Sequence, residues 1–387
     1  MTRTIDQPIT VSTDTAPAPP CAVYDADVIT RQVRRMRAYL DRSIPSSQIF
    51  YALKACYLQP VVRHLVGLGC GLEIMSSMEQ RIAACIGVTG KDVIWNGPAL
   101  NEATLRAAVQ RGERINVDSI DMFNVVRSLV AAHGAPIEVG LRLNVSGDGK
   151  LGITPDLAEA LMQSSQVRVV GFQVHHGARS LGTDHWIGQR RDMLKWLAHW
   201  EQRLGIEIRY VDVGGGFQPE YEPGAYLDPI ITAMGRLRSA PKLLVEPGAY
   251  FVEDAGTARA RVVAVKSVGN TRWAVTDLGA QFLVPLDRSN FEVEQNPRGN
   301  GDGRMSIAGP MCFEADVIAR DQLLDVTRGD VVRISRCGAY TASMTNCFGA
   351  APPCVYWRHR GSVQRIERVI DGDELFMTMH GYRQSGS

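Results

Sequence analysis

No long hydrophobic run occurs in this chain: its apolar stretches all fall well short of the roughly 20 residues that a membrane-spanning helix needs. An excess of one charge is missing too. Against 42 basic residues stand 41 acidic ones, a formal net charge of +1, which is not the footprint of a nucleic-acid or membrane-surface binder. The eight cysteines show neither CxxC pairs nor the spacing of a disulfide framework, which points to a reducing, cytoplasmic compartment. Zinc has no ligand pattern here, and the adjacent pair His175–His176 would face opposite ways on a strand. Residues 1–20, rich in Thr, Pro and Ala, lack the hydrophobic core of a secretory signal and are expected to be disordered.

What is present suits a two-domain enzyme. The chain has 387 residues, of which 45% are apolar. From about Val28 to Ala260, short β-like runs alternate with helix-like ones. The expected strands are Ile49–Leu53, Gly71–Ile74, Asp92–Asn96, Arg114–Asp118, Ile137–Asn144, Val167–His175, Tyr210–Val213 and Lys242–Glu246. Amphipathic segments such as Pro60–Leu68, Glu102–Arg111, Ser119–Ala132, Pro155–Ser164 and Gln189–Leu204 lie between them. That rhythm predicts an α/β fold, a (β/α)8 TIM barrel over 28–260. A doubly wound open sheet is the alternative, but Gly214-Gly215-Gly216 comes late and is not GxGxxG. Beyond Arg261 the texture turns to short β runs with Gly, Pro and Asn turns, with one helical stretch near Gly372–Phe376. This predicts a mainly β domain over 261–387, joined by residues 21–27.

Chemistry-bearing residues fall where barrel strands end, the place where TIM-barrel active sites form. Lys54 follows the first strand among small and apolar neighbours, and a desolvated lysine amine can form a Schiff base with an aldehyde. His175 follows a later strand. Gly214-Gly215-Gly216 leaves backbone N–H groups bare, which makes either a phosphate nest or simply a flexible turn. Glu246 ends an apolar strand and needs a cationic or N–H partner. A lysine, an anion site and a carboxylate for a ring nitrogen together suit pyridoxal 5'-phosphate, with His175 packed on the ring face.

From about Tyr24 to Pro353 the chain resembles fold-type III pyridoxal-phosphate decarboxylases, the group of diaminopimelate, ornithine and arginine decarboxylases. The resemblance rests on Tyr51-Ala52-Leu53-Lys54-Ala55, His175-His176-Gly177-Ala178, Gly214-Gly215-Gly216 and Glu246-Pro247-Gly248. Two further segments match: Cys312-Phe313-Glu314-Ala315-Asp316 and Gly338-Ala339-Tyr340. Glu73, Arg142 and Lys150-Leu151-Gly152 are smaller correspondences.

The resemblance implies that Lys54 is the Schiff-base lysine, that Glu246 holds the pyridinium, and that Gly248 belongs to its motif. It implies that Tyr340 touches the phosphate and that Cys312, reaching into the partner subunit's site, or a neighbouring group protonates Cα; Cys56, Cys337 and Cys347 have weaker claims. The working unit would then be a homodimer.

Departures from the family pattern concern substrate. Ala249 stands where arginine is usual after Glu-Pro-Gly, and Val284-Pro285 where Arg-Pro is usual. Phe313 replaces glutamate, Ala178 replaces serine, and Phe348-Gly349 replaces Tyr-Asn. Without two guanidinium groups the clamp for a distal carboxylate is gone, so plain diaminopimelate is not the expected substrate. Glu314, Asp316 or Asp287 could serve a distal ammonium. Phe313 and Phe348 suggest a bulkier or less charged group, such as a citrate-conjugated amino acid of siderophore biosynthesis or a carrier-tethered one. A diaminopimelate- or ornithine-type enzyme of primary metabolism, an amino-acid racemase and a non-enzymatic binding protein are the alternatives. Glu246 argues against the racemase, whose ring nitrogen meets arginine, and an intact Lys54 argues against the binding protein.

Overall fold

The computed structural model describes residues 10–11, 17–175, 181–284, 291–295 and 303–366. These divide into two units, Thr30–Phe251 and a second drawn from Met1–Ile29 and Val252–Ser387. Residues 176–178, Pro285, Asp287 and the expected helix near Gly372–Phe376 lie outside the described residues. Among the described residues no helix is long and apolar enough to cross a membrane.

In the first unit eight parallel strands close a barrel: Ser47–Ala52, Gly71–Ile74, Val93–Trp95, Arg114–Val117, Ile137–Arg142, Val167–Gln173, Tyr210–Asp212 and Lys242–Val245. Closure pairs Val245 with Ile49. These are the eight strands expected from the sequence, with ends shifted by a residue or two, and the closed order excludes the open doubly wound sheet. Low in the barrel, Tyr210 packs with Phe50, Ile94, Val170 and Leu244. Its ring lies where a Cβ on Gly140 or Gly171 would have to go, so both positions must be glycine.

Helix ends follow local chemistry. Ser76 accepts from the Glu79 N–H ahead of Ser77–Ile86, and Ser119 accepts from Met122 ahead of Ile120–His133. Gly87 and Gly134 close those helices in the left-handed conformation. Helix Gly182–Leu204 begins two turns before its expected start at Gln189. Buried Trp186 anchors those turns, although Gly182, Thr183 and Gly188 are poor helix formers.

The second unit is a ten-stranded sheet in which Cys21–Asp25 pairs with both Gly256–Val268 and Cys354–His359. Strands Glu292–Gln295, Arg304–Ala308, Val317–Leu323 and Ser362–Arg365 were not evident as strands in sequence. They are short or carry charges at exposed positions, so period-two alternation is weak. The expectation of a disordered leader needs correcting at Thr10–Val11, which pairs antiparallel with Ser362–Arg365.

Candidate active site

The first barrel strand ends at Ala52, and the chain turns through Leu53–Ala55 in one 3-10 turn. Leu53 and Ala55 are buried, which leaves Lys54 as the residue of the turn that faces outward, with its side chain 29% exposed. Its Nζ donates to Glu73 Oε2, from the end of the second strand, whose carboxylate is 2% exposed. A reachable amine is thus held beside a buried carboxylate.

Glu246 follows the eighth strand and is buried. Its Oε1 accepts from Asn96 Nδ2. Asn96 Oδ1 accepts from Asn116 Nδ2 at 2.8 Å, and that same amide donates to Asp212 Oδ2 at 3.3 Å. Below them, Tyr210 Oη donates to Asn116 Oδ1 at 2.8 Å. Four side chains from three strands thereby fix one carboxylate. Burial pushes the Glu246 carboxyl well up, and neighbouring Asp212 pushes it further. Asp212 is likewise raised by burial, to about 6. Two buried carboxyls side by side favour one shared proton. Gly248, just beyond, sits where an added Cβ would press on Ala52 and Ala55.

The glycine loop follows the seventh strand. Gly214 and Gly216 have φ of +67° and +91°, a region that side chains disfavour. A Cβ on Gly215 would lie 2.5 Å from Glu246 O. The Gly215 N–H donates to His175 Nδ1 at 3.0 Å, so the neutral ring carries its proton on Nε2. Arg142 donates to His175 O at 2.7 Å and pairs with buried Asp118 at 3.4 Å. Asp118 in turn accepts from the Gly152 N–H at 3.1 Å. Lys54, Glu73, His175, Gly214–Gly216 and Glu246 therefore all stand at the C-terminal ends of strands of one barrel.

Cys312, Phe313, Glu314, Asp316, Tyr340 and Phe348 belong to the second unit. Cys312 is an exposed thiol, whereas burial raises buried Cys337 to about 12 and Cys56 is also buried. Phe313 and Phe348 are 40% and 65% exposed and meet edge to face at 5.8 Å. Glu314 is exposed. Asp316 requires a correction. It is buried, its Oδ1 accepts from Ala280 N–H at 2.8 Å and its Oδ2 from Met311 N–H at 2.7 Å. It ties two turns together and is not a free acid for a substrate ammonium. Tyr340 has φ +60°, unusual for a bulky residue. Beside it, a Cβ on Gly338 would lie 1.7 Å from Val252 O.

Several residues of the site were not singled out in sequence: Asn96, Asn116, Asp212, Gln173, Trp186 and Arg190. Gln173 pairs in register with Arg142 and Asp212 across neighbouring strands. Its buried amide has no hydrogen-bond partner among the described residues. A glutamine, asparagine or aspartate ending an apolar strand is the signal that would have marked Asn96, Asp212 and Gln173.

Residues 26–253 match a family described as "Pyridoxal-dependent decarboxylase, pyridoxal binding domain". The diaminopimelate decarboxylase of Methanocaldococcus jannaschii is 27% identical over 335 residues, spanning 78% of this chain and 76% of that protein. An L-glutamyl-[BtrI acyl-carrier protein] decarboxylase of Niallia circulans is 23% identical over 401 residues, 93% of each chain. Among solved structures, M. jannaschii diaminopimelate decarboxylase in complex with L-lysine superposes with a TM-score of 0.85 at 24% identity, covering 93% of this chain and 92% of that one.

Proposed function

Because the chain belongs to the pyridoxal-dependent decarboxylase family, we propose that it removes carbon dioxide from an amino acid presented as a conjugate, with Lys54 as the anchor of its cofactor. Pyridoxal phosphate is the cofactor that this membership brings. The observation that carries the reading is the meeting of Lys54 and Glu246 at the ends of two neighbouring strands, beside the glycine loop. The residues suit the group. The Gly216 and Phe217 N–H groups have no acceptor among the described residues, and the Gln173 amide is buried without a partner.

When bound, pyridoxal phosphate supplies an electron sink for the pair left at Cα as carbon dioxide departs. The chain's residues do the rest. Glu73 receives the proton that must leave Lys54 Nζ before its lone pair can react. Glu246, oriented by Asn96 and Asn116, holds a proton at the ring nitrogen. His175, fixed by Gly215 and Arg142, would help hold the ring. In the Gly214–Gly216 loop the free amides of Gly216 and Phe217, with Tyr340, would bind the phosphate. Cys312, contributed by the partner subunit of a homodimer, delivers a proton to Cα. Mixing Lys54→Ala with Cys312→Ala protein then restores up to about one quarter of wild-type activity, because half the dimers regain one of two sites. No recovery on mixing would place both residues in the same subunit's site.

For the substrate, Phe313 and Phe348 offer an apolar edge, Glu314 an exposed acid, and Ala249 no guanidinium for a distal carboxylate. That set favours a citrate-conjugated or carrier-tethered amino acid of siderophore or other specialised metabolism over plain diaminopimelate. The carrier-protein substrate in the Niallia circulans relative's name supports this choice. Carbon dioxide release from free diaminopimelate, free ornithine and conjugates tests it. A conjugate should lead in kcat/KM by about tenfold or more. Equal turnover of a free amino acid would overturn the choice.

A further inference from the structure

Helix Gly182–Leu204 buries Trp186, Arg190, Met193, Leu197 and Trp200 along one face. Four of these are apolar, as a core stripe should be. Arg190 is fully buried, and no carboxylate lies within ion-pair distance of it among the described residues. Its Nε and Nη2 both donate to Val213 O at 3.0 Å, and its Nη1 to Trp186 O and Gln189 Oε1 at 3.3 Å. The guanidinium carbon stands 4.1 Å from the Trp186 ring centroid. A buried cation without a counter-charge is costly, and methionine would fill this place without that cost. A charge kept here under such conditions has a use.

The peptide groups of the neighbouring loop show where that use lies. Val213 O is taken by Arg190, and the Gly214 N–H by Asp212. Gly214 O accepts from Glu246 N–H, and Gly215 N–H is taken by His175. Gly215 O accepts from Trp186 Nε1 at 2.8 Å. With that carbonyl turned back toward the helix, the next amides, Gly216 and Phe217, are the two left over. Trp186, Phe217 and Tyr226 pack against one another at 5.2–5.3 Å and stiffen this backing. No other Lys or Arg side chain donates to residues 213–217 among those described.

We propose that Arg190 is a positioning residue for the cofactor phosphate: from behind the loop it grips Val213 and supplies the positive charge that a dianion on the Gly216 and Phe217 amides needs. Trp186 shares the task by holding Gly215. This rests on the reading of the loop as the phosphate site. The rival role is electrostatic support of Asp212 and Glu246 beneath the ring, because both carboxylates also feel the guanidinium.

Affinity measurements on cofactor-free protein separate the two. The probes are pyridoxal phosphate, pyridoxal (the same ring without phosphate) and inorganic phosphate. The proteins are wild type, Arg190→Met, Arg190→Gln and Arg190→Lys, each checked by its thermal midpoint. Met and Gln should weaken pyridoxal phosphate and inorganic phosphate by about 10- to 100-fold and leave pyridoxal within about twofold. Lys, which keeps the charge but not the fork, should recover part of the loss. Equal weakening of pyridoxal and pyridoxal phosphate, or unchanged phosphate affinity, overturns the assignment. If Met and Gln do not fold, Lys decides: retained preference for the phosphorylated ring supports the charge, and a preference lost without a midpoint change overturns it. Should wild-type protein itself bind pyridoxal as tightly as pyridoxal phosphate, the loop reading fails instead.

Discussion

In the barrel unit Glu246, Asp212, Asn116 and Asn96 are buried and hydrogen-bonded to one another, with Tyr210 beneath. In the β unit Cys312, Phe313, Glu314 and Phe348 stand on exposed turns, and the buried acid of that segment, Asp316, is spent on backbone amides. The contrast separates two tasks. Groups proposed to serve the chemistry are held in a buried, hydrogen-bonded network, where electrostatic preorganisation is strongest. Groups proposed to choose the substrate sit where a substitution disturbs no network. A family built this way can change substrate without rebuilding its chemistry.

Substitutions can break or sharpen that division. The largest effect falls on Lys54→Ala, expected to cost roughly 10⁴-fold or more in carbon dioxide release. Glu246→Gln keeps the shape but removes the charge, and should lower kcat by about 10²–10³-fold while cofactor still binds. A loss of less than tenfold for Glu246→Gln would show that the network is structural.

A third effect concerns pH. Asp212 holds its proton up to about 6 when folded, against an ordinary 3.8. The folded state therefore binds more protons than the unfolded one, and stability falls as pH rises from about 4 to about 6. In cofactor-free Asp212→Asn protein that decline should shrink by about 2–3 kcal/mol, read from denaturant midpoints across this window. Identical slopes in the two proteins would contradict the buried-carboxyl account. Smallest of all, Phe313→Ala with Phe348→Ala should leave stability within about 0.5 kcal/mol, since both rings are exposed, while changing KM for a conjugate. A large stability loss there would erase the contrast between the units.

The sequence made the barrel strands legible because each is a short apolar run closed by a polar or glycine residue, and closure needs only their count and order. Lys54, the glycine loop and Glu246 were legible for the same reason: they stand where those runs stop. Asn116 was not, since a polar residue inside a strand means nothing until its partners across the barrel are known. Arg190 hid beside Arg191 as an apparent surface arginine, yet its spacing from Trp186, Met193 and Leu197 puts it on the buried stripe. In the β unit, partly exposed strands such as Val317–Leu323 lack the alternation that marks a strand.

The most direct test of the central claim, that Lys54 anchors pyridoxal phosphate in the barrel, is the visible absorption spectrum of the purified protein before and after borohydride, followed by peptide mapping. A yellow band that borohydride abolishes, with the reduced label on the Lys54 peptide, is the predicted result. Protein that stays colourless with added pyridoxal phosphate, or a label on another lysine, would contradict it.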